Sequence, residues 1–195
     1  MKEVKVWDIF VRVFHWTLVA SFFIAYITED DVMWLHEFAG YTILALVAAR
    51  VIWGIIGTRY ARFTSIIFKP STIKQYFKDS LRFKSKRYLG HNPLGGTMVI
   101  TLLLMLVLTS LSGIKAEGGN IFAGASDFNI EIIKSAFADD HEREGGGSEF
   151  WEEIHEFIAN ATLLLVFLHV AGVIFSSIAH GENLVRSMIT GRKRE

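Results

Sequence analysis

Four long apolar runs alternate with stretches that hold nearly all of the chain's charge. They cover roughly 9–27, 34–57, 97–114 and 154–179, and the third is short enough that its helix is expected to start nearer 94. Each comes close to the ~17–25 residues a helix needs to cross a hydrocarbon core. Packed as a soluble bundle, four such helices would have almost no polar face to offer water. The pattern therefore predicts an all-α fold: an integral membrane four-helix bundle, a single domain over 1–195, with helices at about 9–27, 34–57, 94–114 and 154–179.

The charges between the runs orient the bundle. The connector 58–92 carries Arg59, Arg62, Lys69, Lys74, Lys78, Arg82, Lys84, Lys86 and Arg87 against one acid, Asp79. Lys2, Lys5 and Arg12 lie at the N-terminus, and Arg186, Arg192, Lys193 and Arg194 in the tail. The first turn holds Glu29, Asp30 and Asp31, and the loop 115–150 holds eight acids and three bases. The excess of Lys and Arg predicts cytoplasmic N- and C-termini and a cytoplasmic basic connector, with the acidic loop 115–150 on the periplasmic side. The first run lacks a small-residue cleavage site after Tyr26, so it is expected to persist as an uncleaved signal-anchor. Within the acidic loop, 128–138 (FNIEIIKSAFA) has the pattern of a short interfacial helix, or else belongs to a solvated connector.

Histidines mark where the chemistry lies. His155 and His169 share the fourth run. At 1.5 Å and ~100° per residue they stand ~21 Å apart along the axis and only about 40° apart around it. One helix face thus presents two imidazoles near opposite sides of a ~30 Å core. His15 lies six residues into the first run, ~9 Å from the cytoplasmic surface, the depth at which His169 also falls. His36 opens the second run level with His155. The four form two level-matched pairs, His15 with His169 and His36 with His155, and an ionisable residue inside a span marks a functional site. Two imidazoles at one depth could clamp a haem iron between facing helices. Gly40 is one turn from His36, and Gly172 follows His169 by three residues, so a flat ring could approach either backbone. Arg50, fourteen residues after His36, is expected near the inner pair, where an anion such as a haem propionate would satisfy it.

Composition narrows the choice. Hydrophobic residues make up 51% of the 195, and mean hydropathy is +0.35, too apolar for a soluble domain of this size. Zero cysteines exclude disulfides, thiolate-held iron–sulfur clusters and covalent haem. Glu152-x-x-His155 has the spacing of a di-iron site, but spans one and three contain no Asp or Glu to complete it. The sequence HNPLGG lacks a phosphate-binding lysine and a preceding strand, so it is no nucleotide loop. His91 and His180 border the cytoplasmic ends of spans three and four, as interfacial residues or as contacts for a quinone or a proton path, and His141 belongs to the exposed loop. A metal transporter could also use paired intramembrane histidines, a purely structural anchor would tolerate all four changing to Leu, and a visible spectrum separates both from a haem protein.

The residues WDIFVRVFHW (7–16), LHEFAGYTILALVAARVIWGIIG (35–57), GHNPLGG (90–96), WEEIHEFIANATLLLVFLHVAG (151–172) and HGENLVRSMITGRKR (180–194) carry a family resemblance. The chain resembles bacterial di-haem cytochromes b561, which share their fold with the cytochrome b subunits of nickel–iron hydrogenases. The match runs through all four spans and nearly everything outside 115–150. The resemblance implies two non-covalent b haems with bis-histidine ligation, a multi-pass place in the bacterial inner membrane, and electron transfer between the quinone pool and a periplasmic redox protein such as a c-type cytochrome. By motif its ligands fall on His15, His36, His155 and His169. Family roles also include superoxide:ubiquinone oxidoreduction and anchoring of a hydrogenase-like reductase. The acidic outer loops favour a cationic partner over superoxide. Membrane lipid is the remaining partner, and nothing points to nucleic acid.

Overall fold

The computed structural model describes residues 3–29, 31–118 and 146–194. Among these described residues, four helices long and apolar enough to cross a membrane form the bundle. They are α1 (Ile9–Ile27), α2 (Met33–Ile56), α4 (Pro93–Ala116) and α5 (Gly146–His180). Between α2 and α4 lies a shorter helix, α3 (Pro70–Leu81), and α6 (Leu184–Thr190) follows α5. The all-α bundle thus stands as the sequence predicts. The expected interfacial helix 128–138, His141 and most of the acidic loop lie outside the described residues.

Two boundaries differ from the hydropathy reading. Helix α4 starts at Pro93 because Asn92 caps it, accepting from the Gly95 amide at 2.7 Å, and proline suits the first helical position. Helix α5 begins at Gly146, eight residues before its apolar run, since helical hydrogen bonding continues past the stretch that lipid would cover. The connector 58–92 also has structure of its own: a 3-10 turn at Phe63–Ser65 and then α3.

Helix α2 packs on α1 and α4, and α4 packs along α5. The backbones of α1 and α5 approach each other less closely, and Tyr26 Oη donates to Asn160 Oδ1 across them at 2.7 Å. Phe22, Ile43, Val47 and Leu106 form the central core. Outward, Ile27, Trp34, Phe157 and Ile178 are exposed, a surface for hydrocarbon to cover.

A second core closes the end that holds both chain termini. Strands β1 (Glu3–Lys5) and β2 (Arg192–Arg194) pair antiparallel, Val4 opposite Lys193. The Gly191 carbonyl accepts from the Val6 and Trp7 amides. Val6, Trp7, Val11 and Ala61 pack beneath this ribbon. Lys193 is buried against Glu182 at 3.6 Å, and Arg87 pairs with the same carboxylate. Burial lowers the Lys193 ammonium from its usual range although Glu182 opposes the shift. The two ends of the chain are thereby clipped to the connector on one face of the bundle.

Candidate functional site

His36 and His155 meet between α2 and α5, their ring centroids 5.9 Å apart and their planes at 83°. Each ring is fixed through Nδ1. His36 Nδ1 donates to the Ala25 carbonyl of α1 at 2.9 Å. His155 Nδ1 donates to the Thr109 carbonyl of α4 at 2.9 Å and lies 3.1 Å from Ser112 Oγ. A carbonyl only accepts, so the Nδ1 proton is placed, and the neutral tautomer with that proton carries its lone pair on Nε2. Anchoring one ring nitrogen so that the other is free to ligate is how metal-binding histidines are oriented.

The pair opens into a cavity of about 280 Å³ whose lining includes Gly40, Thr109 and Gly113. A Cβ at Gly40 would meet nothing within 4 Å. A Cβ at Gly113 would lie 3.0 Å from His155 Cε1, so this glycine gives the ring its place. At the outer margin Tyr41 Oη donates to Glu117 Oε2 at 3.3 Å. Burial and then the adjoining Glu37 carboxylate hold Glu117 above the usual carboxylate range.

The second pair lies toward the clipped end. His15 on α1 and His169 on α5 are within electrostatic reach of each other and of His91. His15 Nδ1 is buried without a hydrogen-bond partner, as are His91 Nδ1 and Arg50 Nη1. Arg50 is buried, and its charge acts on His91. Its Nη2 donates to the Ala61 carbonyl at 2.9 Å, and its guanidinium lies over the Phe63 ring at 5.3 Å. A Cβ at Gly172 would meet open space. His91 packs on Trp7, ring centroids 4.7 Å apart. Burial, reinforced by the charges of Arg50 and Lys193, pushes it down to about 3, so it is neutral at physiological pH. His180 Nε2 reaches Tyr76 Oη of α3 at 3.5 Å and takes no part in the buried cluster.

Asp8 joins this end to α1 and was not singled out by sequence. It caps α1 through the Val11 amide at 2.8 Å and accepts from Trp53 Nε1 at 3.0 Å and Thr58 Oγ1 at 2.6 Å. Burial acts to raise its carboxyl, but these three bonds and the Arg50 charge outweigh it and leave it below the ordinary 3.8. Thr109, Ser112 and Gly113 were missed as well, and their signal is a small and polar patch interrupting the leucine-rich third span.

The donor sets fit haem. Among the described residues no three His, Cys, Asp or Glu side chains converge as a cage for a metal ion. What converges is the imidazole pair His36–His155, the arrangement that ligation from both faces of a macrocycle requires. The His36–His155 cavity is bordered by Gly40 and Gly113, and toward the other end of the bundle Arg50 Nη1 is buried without a partner.

A family model described as prokaryotic cytochrome b561 matches residues 6–191. The chain belongs to that family. It is therefore a bacterial multi-pass inner-membrane b-type cytochrome that transfers electrons. Similar proteins include a probable Ni/Fe-hydrogenase B-type cytochrome subunit of Bradyrhizobium diazoefficiens, 22% identical over 98% of this chain and 86% of that one. Its counterpart in Rhodobacter capsulatus is 22% identical, covering 98% and 81%. That of Rhizobium leguminosarum bv. viciae is 24% identical, covering 89% and 71%. No solved structure matches.

Proposed function

We propose that this cytochrome b561 holds two b haems in series across the membrane, an outer one on His36 and His155 and an inner one on His15 and His169. The observation that carries the reading is the anchored pair His36–His155, both Nδ1 atoms bound to backbone carbonyls and both Nε2 atoms left to ligate. Bound haem supplies reversible one-electron chemistry at each level. The chain's residues do the positioning: Gly40 and Gly113 give the outer ring space, and the unpartnered Nη1 of Arg50 receives an acid group of the inner one.

Electrons would pass between quinone at the inner end and a periplasmic redox partner at the outer end. At the end that holds the chain termini, Arg12, His91, Asn92 and His180 are the polar residues that a quinone would meet as it exchanges protons with the cytoplasm. On the outer side Glu29, Glu37, Glu117 and Glu152 border the His36–His155 cleft, which favours a cationic partner such as a c-type cytochrome. A second reading is service as the membrane subunit of a hydrogenase-like enzyme, favoured by the likeness to three probable Ni/Fe-hydrogenase cytochrome subunits. The test is oxidation of ubiquinol by the purified protein in vesicles, with reduction followed in the visible band and electrons passed to an added basic cytochrome c. Haem reduction by quinol without onward transfer to any soluble acceptor would favour the docked-subunit reading. Absence of haem reduction by quinol would refute exchange with the quinone pool.

A further inference from the structure

Helix α3 has three sectors. At ~100° per residue, Ile73, Phe77 and Leu81 fall on one line. Tyr76 and Ser80 flank that line on one side and are buried against the bundle. Lys74 and Lys78 flank it on the other side and are exposed. The apolar line is left uncovered, with Phe77 51% and Leu81 65% exposed. It continues before the helix at exposed Ile67 and after it at exposed Phe83. Phe83 has φ of 54°, a left-handed conformation that a bulky side chain rarely adopts. That backbone sets its ring 5.4 Å, centroid to centroid, from Phe175 of the membrane-spanning α5. The uncovered strip is therefore continuous with the apolar surface of the spans.

We infer that α3 lies in the headgroup region of the leaflet on the side of the chain termini, with Phe77, Leu81 and Phe83 in the acyl boundary and Lys74 and Lys78 on anionic phospholipid. Charge decides the occupant. Exposed Lys69, Lys74, Lys78, Arg82 and Lys84 border the strip, and Asp79, the one acid in the connector, turns away to bind Gln75 at 2.9 Å. An apolar strip rimmed by lysines is the arrangement of helices that lie in a membrane surface, their stems in the lipid and their ammonium groups among phosphates. The inference is independent of which histidines hold haem.

The chain has no cysteine, so single nitroxide labels at Phe77→Cys and Gln75→Cys report without background. With the full-length haem-loaded protein in vesicles of phosphatidylcholine and phosphatidylglycerol, the label at 77 should collide more with oxygen than with a water-soluble nickel chelate. The label at 75 should show the reverse. Equal water access at both positions, as a strip left for solvent or for a soluble protein would give, overturns the inference. Lipid choice is read from phospholipid retained on purification from the same mixed vesicles. Each basic side chain near a surface favours anionic lipid by about fivefold, so K74Q/K78Q should lower phosphatidylglycerol enrichment several-fold. Unchanged enrichment would overturn the assignment of the lysines to anionic headgroups.

Discussion

Gly113 offers a test of the outer site that separates cofactor binding from folding. A Cβ in Gly113→Ala would lie 3.0 Å from His155 Cε1 and 3.3 Å from Nδ1, whereas carbon atoms at ease sit 3.5–4.0 Å apart. The imidazole must yield by about 0.5 Å. It is not free to do so, because Nδ1 is bound to the Thr109 carbonyl at 2.9 Å. A shift of that size stretches the bond beyond the ~3.2 Å limit of a good N–H···O contact, weakening an interaction of about 0.5–1.5 kcal/mol. Loss of such an orienting partner usually lowers metal affinity by about 10–100-fold. The helix itself responds in the opposite sense, since alanine is the better helix former by up to about 1 kcal/mol. Gly113→Ala should thus lose haem from the outer site, with inner haem retained and melting of the α-helical signal unchanged or raised. Haem content by pyridine haemochrome, redox titration and circular dichroism on one preparation measure all three. Full haem occupancy with unaltered potentials would refute the placement of haem against His155.

Substitution of histidine should divide the cofactors by level: His36→Ala or His155→Ala removes one haem and His15→Ala or His169→Ala the other, read as two distinct losses in a redox titration. Asp8→Ala deletes a helix cap of about 1 kcal/mol and two further side-chain bonds of about 0.5–1.5 kcal/mol each, so the thermal midpoint in detergent should fall, most of the loss recurring in Asp8→Asn. Because the folded Asp8 carboxyl lies below 3.8, its contribution is present above that pH and disappears as pH falls through the folded value; Asp8→Asn should flatten acid destabilisation below pH ~4. His91 is held neutral down to about 3, while an unfolded imidazole takes up its proton near 6.5. The unfolded state therefore binds more protons between these values, and stability should decline as pH falls from 6.5, less steeply in His91→Gln. An unchanged slope in that variant would show that His91 is not the group responsible.

The spans were legible because hydropathy and length alone specify a membrane helix, and the histidines because an imidazole among leucines stands out against them. Helical periodicity placed His36 and His155 at one level, and the structure sets their rings 5.9 Å apart. It could not show what fixes each ring, because the Ala25 and Thr109 carbonyls are backbone atoms of other helices and leave no mark in sequence. Gly113 was hidden for a related reason: a span glycine usually serves helix packing, and its contact with His155 depends on how α4 and α5 are set against each other. Helix α3 is short, and its charge drew attention ahead of its 3.6-residue period, although Pro70 at its first turn and the i, i+4 spacing of Ile73, Phe77 and Leu81 were readable. The β1–β2 ribbon pairs three residues at one end of the chain with three at the other, a contact no local pattern encodes.

Haem stoichiometry tests the central claim most directly. Pyridine haemochrome measured against chain concentration by quantitative amino-acid analysis, on protein purified from its membrane, should give two b haems per chain. One haem per chain, or none, would contradict the assignment of His36 with His155 and His15 with His169 to two separate sites.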